Sequence, residues 1–117
     1  MKVHRKVSDL KSALKRMGGN VSILRQLVEY YREDVPPLME RLRAALAAGN
    51  YAELRQAAHS IKGLVVNFDA ESSTNAAFEL EQLAGSRDLT KATQALTDLE
   101  EEITRLNTEL DAELARL

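Results

Sequence analysis

The chain has 117 residues, a formal net charge of −2 and no cysteine. A chain of this length forms one domain with a modest core, here expected over residues 1–117, and so small a net charge does not favour nucleic-acid binding. The lack of cysteine excludes disulfides and cysteine metal sites, and no apolar run approaches the ~18 residues of a membrane span or resembles a signal peptide, so we expect a cytoplasmic domain without membrane contact.

Residues 1–7 show no helical pattern and are expected to be loosely ordered. Ser8 is a suitable N-cap for a short first helix that ends near Met17, where two glycines follow. Basic residues recur over this region, but other residues interrupt them and no aromatic residue lies between them, so a solvated surface is the better interpretation. These basic residues are Lys2, Arg5, Lys6, Lys11, Lys15 and Arg16.

A long apolar stripe with spacings of three and four predicts a second helix over about 21–48, with Asn20 as its N-cap. Pro36 and Pro37 fall inside the stripe without changing its phase, so we predict one bent helix rather than two. Off the stripe lie three further apolar residues: Ile23, Leu27 and Tyr30. We expect the first helix to cover them; the alternative is that they form an exposed docking surface.

The apolar residues between Tyr51 and Phe68 again recur at spacings of three and four, which predicts the third helix. Gly49 ends the preceding helix, and Asn50 together with Glu53 resembles a capping box at the start of this one. Because the connection is short, the second and third helices are expected to pack as antiparallel neighbours.

A fourth helix is predicted over about 71–84, and Gly85 is expected to end it. Its inward-facing residues are predicted to be Ala76, Phe78, Leu80 and Leu83.

Asp88 caps a fifth helix that continues to Leu117, so its last turns should overhang a four-helix core. The overhang can pack on the first helix, pair with a second chain or continue into another domain. The elements together predict an all-α, antiparallel up-and-down four-helix bundle with an additional short N-terminal helix.

His59 is predicted to lie on the outward face of the third helix, about 160° from its apolar stripe. A neutral imidazole nitrogen is a nucleophile, and histidine titrates near neutral pH. Lys62 lies one turn further on, where its ammonium can offset an anion on the ring. Gly63 costs roughly 1 kcal/mol of helix propensity but leaves space beside His59. The three residues suit a phosphoryl group carried on nitrogen, although a lone exposed histidine is more often an ordinary surface residue.

The sequence around His59 resembles the His-x-x-Lys-Gly signature of histidine-containing phosphotransfer (HPt) domains. The likeness rests on residues 58–63 (Ala-His-Ser-Ile-Lys-Gly) and 67–70 (Asn-Phe-Asp-Ala), and it extends to the Gly-Gly-Asn turn at 18–20. The family is an all-helical bundle whose histidine accepts a phosphoryl group from a receiver-domain aspartate and passes it to another. The resemblance implies that His59 is phosphorylated, that Lys62 stabilises the charge and that Gly63 provides clearance.

The resemblance also implies the partners and the absence of a resident cofactor. Response-regulator receiver domains, within a hybrid sensor histidine kinase, would dock on a patch around Gly63 and supply Mg²⁺. The other residues of this patch are Ala52, Arg55, Gln56 and Val66. The chain has no Gly-rich phosphate loop and no kinase motif, so we expect a phosphocarrier without ATP-dependent kinase activity rather than an enzyme. No metal site is expected, because His59 has no second ligand at a suitable spacing.

Two positions depart from the family pattern. Val66 stands where a small residue is usual and would narrow the range of receivers that dock. Asp69 stands where glycine is common, but it can still end a helix in the left-handed conformation and cap the next one. The long last helix motivates the alternative function, a non-catalytic helical adaptor or dimerisation module.

Overall fold

The computed structural model describes residues 7–117, and all regular secondary structure in that range is helical, as predicted. A 3₁₀ turn at Val66–Phe68 follows the third of the α-helices. The α-helices are α1 (Leu10–Arg16), α2 (Val21–Ala48), α3 (Tyr51–Val65), α4 (Glu71–Ser86) and α5 (Leu89–Leu114). Within the described residues, none of these helices has the length and apolar character needed to cross a membrane.

The core lies between the four longer helices, each of which contributes a buried row. α3 packs on α2 and α4, α4 packs on α5, and α5 packs back on α2. Burying each large aliphatic side chain contributes about 1.5–3 kcal/mol, so these rows hold the helices together. Fully buried members are Leu24, Leu42, Leu54, Ile61, Leu80, Leu99 and Leu106.

Three helices begin at the residues that the sequence predicts as caps. The side chains of Asn20, Asn50 and Asp88 each accept a hydrogen bond from the backbone N–H three residues further on. The predicted capping box is only half present, because the Glu53 carboxylate pairs with Arg41 instead of turning back to Asn50. α2 runs unbroken through its two prolines, which confirms one helix rather than two.

The chain ahead of α1 differs from the prediction. Asp9, not Ser8, caps α1, and its carboxylate accepts a backbone N–H in the first turn. Ser8 is buried, and its hydroxyl donates to Glu109 Oε1 at 2.6 Å. Residues 1–6 lie outside the described residues, but Val7 is not loose, because its backbone N–H donates to Glu109 Oε2 at 2.7 Å.

The ends of α4 also differ from the prediction. Gly85 does not end the helix, which continues for one more residue before Arg87 adopts left-handed backbone with φ 59°. Asp69 has the predicted left-handed conformation, with φ 49°, but Ala70 is the N-cap residue of α4. The Asp69 carboxylate instead pairs with Arg16 at 2.6 Å, which ties α1 to the turn before α4.

Three apolar side chains that are predicted to be covered are exposed. Phe78 does not face inward, because the buried row of α4 consists of Ser73, Ala77, Leu80 and Ala84. Ile23 and Tyr30 are exposed and only Leu27 is half-buried, so the prediction that the first helix covers all three is wrong. α1 has seven residues and also packs on the 3₁₀ turn, so it is too short to cover them.

The final turns of α5 pack within the chain. Leu106 and Leu110 are fully buried, and Asp111 forms an ion pair with Arg32 of α2. Glu109, on the same turns, binds the segment that precedes α1. These contacts join the overhang to α2 and to the segment ahead of α1, whereas the first alternative was packing on α1 itself. Pairing with a second chain and continuation into another domain stay predictions.

Candidate functional site

His59 lies on the outward face of α3, and its side chain is 67 % exposed. The neighbouring residues Ala57, Ala58 and Ile61 are fully buried beneath it. Packing therefore fixes the helix while the imidazole stays within reach of a partner, which is the orientation that the apolar stripe predicts.

A carboxylate from α4 connects His59 to Lys62. Oε2 of Glu81 lies 3.0 Å from Nδ1 of His59, and Oε1 of Glu81 accepts a hydrogen bond of 2.8 Å from Nζ of Lys62. The Glu81 side chain is only 12 % exposed. Charge-assisted hydrogen bonds are stronger where water is partly excluded, so this carboxylate holds both side chains in place.

The electrostatics of Glu81 decide which imidazole nitrogen is free. The hydrogen bond from Lys62 holds the pKa of Glu81 below its usual value; burial opposes this effect, and the hydrogen bond with His59 adds to it. Glu81 is therefore ionised at neutral pH and accepts hydrogen bonds only. A carboxylate facing Nδ1 favours the tautomer with the proton on Nδ1, which leaves the lone pair on Nε2.

Lys62 is held from two directions. Besides the hydrogen bond to Glu81, its Nζ lies 4.9 Å from the centre of the Phe78 ring. An ammonium over an aromatic face is attracted by the electrons of the ring. The predicted charge partner of His59 is thus directed by two α4 side chains, one charged and one aromatic.

The space beside His59 is open at Gly63. A methyl group added there would meet no heavy atom within 4 Å outside its own helix, so close packing does not explain the glycine. Val66, at the start of the 3₁₀ turn, is also exposed. The remaining residues of the predicted docking patch on α3 are exposed as well, and they are Ala52, Arg55 and Gln56.

Two residues of this site lie on α4 and are not among the predicted site residues. Phe78 and Glu81 are three positions apart, which places them on one face of α4. That spacing was the available signal, but the assignment of Phe78 to the core hid it. Across residues 7–117 no cluster of three or more histidine and carboxylate side chains could hold a metal ion.

Comparison with known proteins identifies the family. A family model described as the Hpt domain matches residues 26–116, which include His59, Lys62 and Glu81. The Gly-Gly-Asn turn at 18–20 lies outside the matched residues, although the resemblance noted in the sequence extends to it. No curated protein and no solved structure matches the chain. Because the family match covers most of its length, the chain belongs to the Hpt domain family.

Proposed function

We propose that this chain is a phosphorelay intermediate that carries a phosphoryl group on His59 between the aspartates of receiver domains. Hpt domains are phosphocarriers of two-component signalling and not kinases. One observation carries the assignment to this residue: the outward imidazole of His59 has Nδ1 on the Glu81 carboxylate, which leaves Nε2 for chemistry.

The transfer that this geometry supports is a direct displacement at phosphorus. The Nε2 lone pair of His59 attacks the phosphorus of a receiver's aspartyl phosphate; a P–N bond forms, the P–O bond to the aspartate breaks, and the carboxylate leaves with the electron pair. The proton stays on Nδ1, and the positive charge on the ring is stabilised by Glu81, 3.0 Å away. Transfer to a second receiver is the reverse reaction with a new aspartate.

The remaining residues of the site assist by charge and by space. Lys62 offsets part of the phosphoryl charge, and Arg55 on the same helix adds to the positive potential. Gly63 leaves room for the partner, whose aspartyl site supplies Mg²⁺. The chain therefore needs no cofactor of its own. Ala52 and Gln56 on α3, together with Val66 in the 3₁₀ turn that follows it, complete the docking patch.

The fold proposed for this role is an antiparallel up-and-down four-helix bundle with α1 as an additional helix. The ion pairs between α2 and α5 support it, because Arg32 pairs with Asp111 and Arg43 with Glu100. Residues that come later in α2 thus meet residues that come earlier in α5. As part of a hybrid sensor histidine kinase in the cytoplasm, such a bundle would lie close to receiver domains.

The alternative function, an adaptor or dimerisation module, gains no support from α5. Its motivation was the length of this helix, and Leu106 and Leu110 in its later turns are already buried inside the chain, which leaves less apolar surface there for a partner.

The test is phosphoryl transfer to the purified chain. The chain and its His59→Gln variant are each incubated with a labelled phospho-receiver and Mg²⁺. We expect acid-labile, base-stable label on the wild type and none on His59→Gln. Equal labelling of His59→Gln would show that another residue is phosphorylated. A wild type that takes no label from receivers or from phosphoramidate, a small phosphoryl donor, would favour the adaptor function.

A further inference from the structure

Phe78 is a large aromatic residue that the core does not use. Its side chain is 47 % exposed, and it lies one turn before Glu81 on α4. A single exposed apolar residue needs no explanation. Phe78 is not single, however, because Val66, which is 48 % exposed, lies four residues beyond Lys62, in the 3₁₀ turn that follows α3. Exposed aromatic residues are common at the centres of protein–protein interfaces.

The Phe78 ring adjoins the proposed phosphorylation site. Successive contacts of 3.0, 2.8 and 4.9 Å run from the imidazole through Glu81 and Lys62 to the ring. A weak, transient interface covers up to about 600 Å² on each partner, which corresponds to a disc of roughly 14 Å radius. Even added together, these three distances are shorter than the radius of such an interface. A receiver centred on His59 therefore also covers Phe78.

We propose that Phe78 extends the receiver-docking surface from α3 onto α4, where Phe78 and Val66 provide the apolar contacts around Lys62. The inference rests on the proposed function, because the partner is the receiver that exchanges a phosphoryl group with His59. Charge complementarity favours this partner: the two cations Lys62 and Arg55 outnumber the one carboxylate of the site, Glu81, and an aspartyl site that binds Mg²⁺ is acidic. The apolar side chains add contact area that the charges alone do not supply.

The test separates docking from the chemistry of His59. Transfer from a phospho-receiver requires docking, whereas labelling by phosphoramidate does not. We expect Phe78→Ala to lower kcat/KM for the receiver about tenfold, mainly through KM, and to change phosphoramidate labelling less than about twofold. Phe78→Leu should recover most of the loss, because it retains apolar area. The control is Leu89→Ala at the start of α5, where Leu89 is 49 % exposed, and it should leave both rates unchanged.

Two results would overturn the docking surface on α4. Equal slowing of both reactions by Phe78→Ala would show that the ring acts only by holding Lys62. Unchanged receiver kinetics would show that the receiver does not contact the ring. Failure of the proposed function is distinct, because the wild type would then take no label from either donor. Because Phe78 lies outside the core, the variant should fold, and its thermal unfolding is measured alongside.

Discussion

Oε2 of Glu81 lies 3.0 Å from Nδ1 of His59, although the two residues are 22 positions apart and belong to different helices. The other oxygen of the same carboxylate binds Lys62. One side chain from α4 thus sets both the orientation of the imidazole and the position of the cation beside it. The local His-x-x-Lys-Gly pattern on α3 is completed by a residue outside it.

Replacing Glu81 by alanine should slow the phosphorylation of His59 by about 10–100-fold, by analogy with the loss of a group that orients a metal-binding histidine. Glu81→Gln should lose less, because its amide oxygen still accepts a hydrogen bond from Nδ1. The rates are measured with a phospho-receiver and with phosphoramidate, and both should fall, since Glu81 acts on the ring. Glu79→Ala, an exposed change on the same helix, is the control. Wild-type rates in Glu81→Ala would contradict the orienting role.

The fold was predictable where apolar periodicity is strong and helix caps are clear. The apolar stripe of α2 and the N-cap residues Asn20, Asn50 and Asp88 correctly predict where α2, α3 and α5 begin. α4 was harder to predict, because three of its four buried residues are serine or alanine, so its largest apolar residue, Phe78, was assigned to the core. Phe78 directly follows Ala77, and the rotation of about 100° per residue turns it away from the inward row.

The site was predictable only as far as one helix carries it. His59, Lys62 and Gly63 follow from spacing on α3, because residues three and four apart share a helix face. Glu81 depends on how α3 and α4 pack, and the spacing within either helix does not determine that. Ile23 and Tyr30 likewise depend on the position of α1, which the sequence does not fix.

Lys62→Ala should slow receiver transfer about tenfold, because it removes a cation that offsets the phosphoryl charge, and tenfold corresponds to about 1.4 kcal/mol. It should also lower the free energy of unfolding by about 1–2 kcal/mol, because Glu81 loses a charge-assisted hydrogen bond. Transfer assays and urea unfolding measure the two effects. Lys62→Arg keeps the charge and should retain more activity. The control is Lys91→Ala on α5; an equal loss there would point to general charge and not to the site.

Gly63→Ala should raise the free energy of unfolding by about 0.5–1 kcal/mol, because alanine is the better helix former and its methyl group meets no heavy atom within 4 Å beyond the adjoining backbone of its own helix. The same change should slow transfer from a receiver, and Gly63→Leu should slow it further, because the open space admits the partner. Phosphoramidate labelling should change little. Thermal unfolding and transfer rates provide the measurements.

Gly85 is the matched control for Gly63, since it also lies in a helix and an added methyl group there meets no heavy atom within 4 Å beyond the adjoining backbone. Gly85→Ala should not affect transfer. If Gly63→Leu accepts the phosphoryl group from a receiver as fast as the wild type does, then Gly63 does not provide clearance for the receiver.

Acid should abolish the contribution of Glu81 to stability. Its pKa in the folded chain is held below the usual value, chiefly by Lys62, so its contribution is complete above the unfolded pKa of about 4.3 and disappears as the pH falls through the lower folded value. Urea unfolding between pH 6 and about 2.5 should show the wild type losing more stability than Glu81→Gln, with the two curves converging at the acid end.

The pair of Glu53 with Arg41 provides the comparison, because Arg41 also holds the pKa of Glu53 below its usual value. The side chains of Glu53 and Arg41 are more exposed than that of Glu81, so solvent screens their attraction more strongly. The stability difference between the wild type and Glu53→Gln should therefore change less with pH than the difference for Glu81→Gln. Transfer to His59 at neutral pH should be unaffected by Glu53→Gln and reduced by Glu81→Gln. A stability difference between the wild type and Glu81→Gln that does not vary with pH would mean that the Glu81 carboxylate gains nothing from His59 and Lys62 in the folded chain.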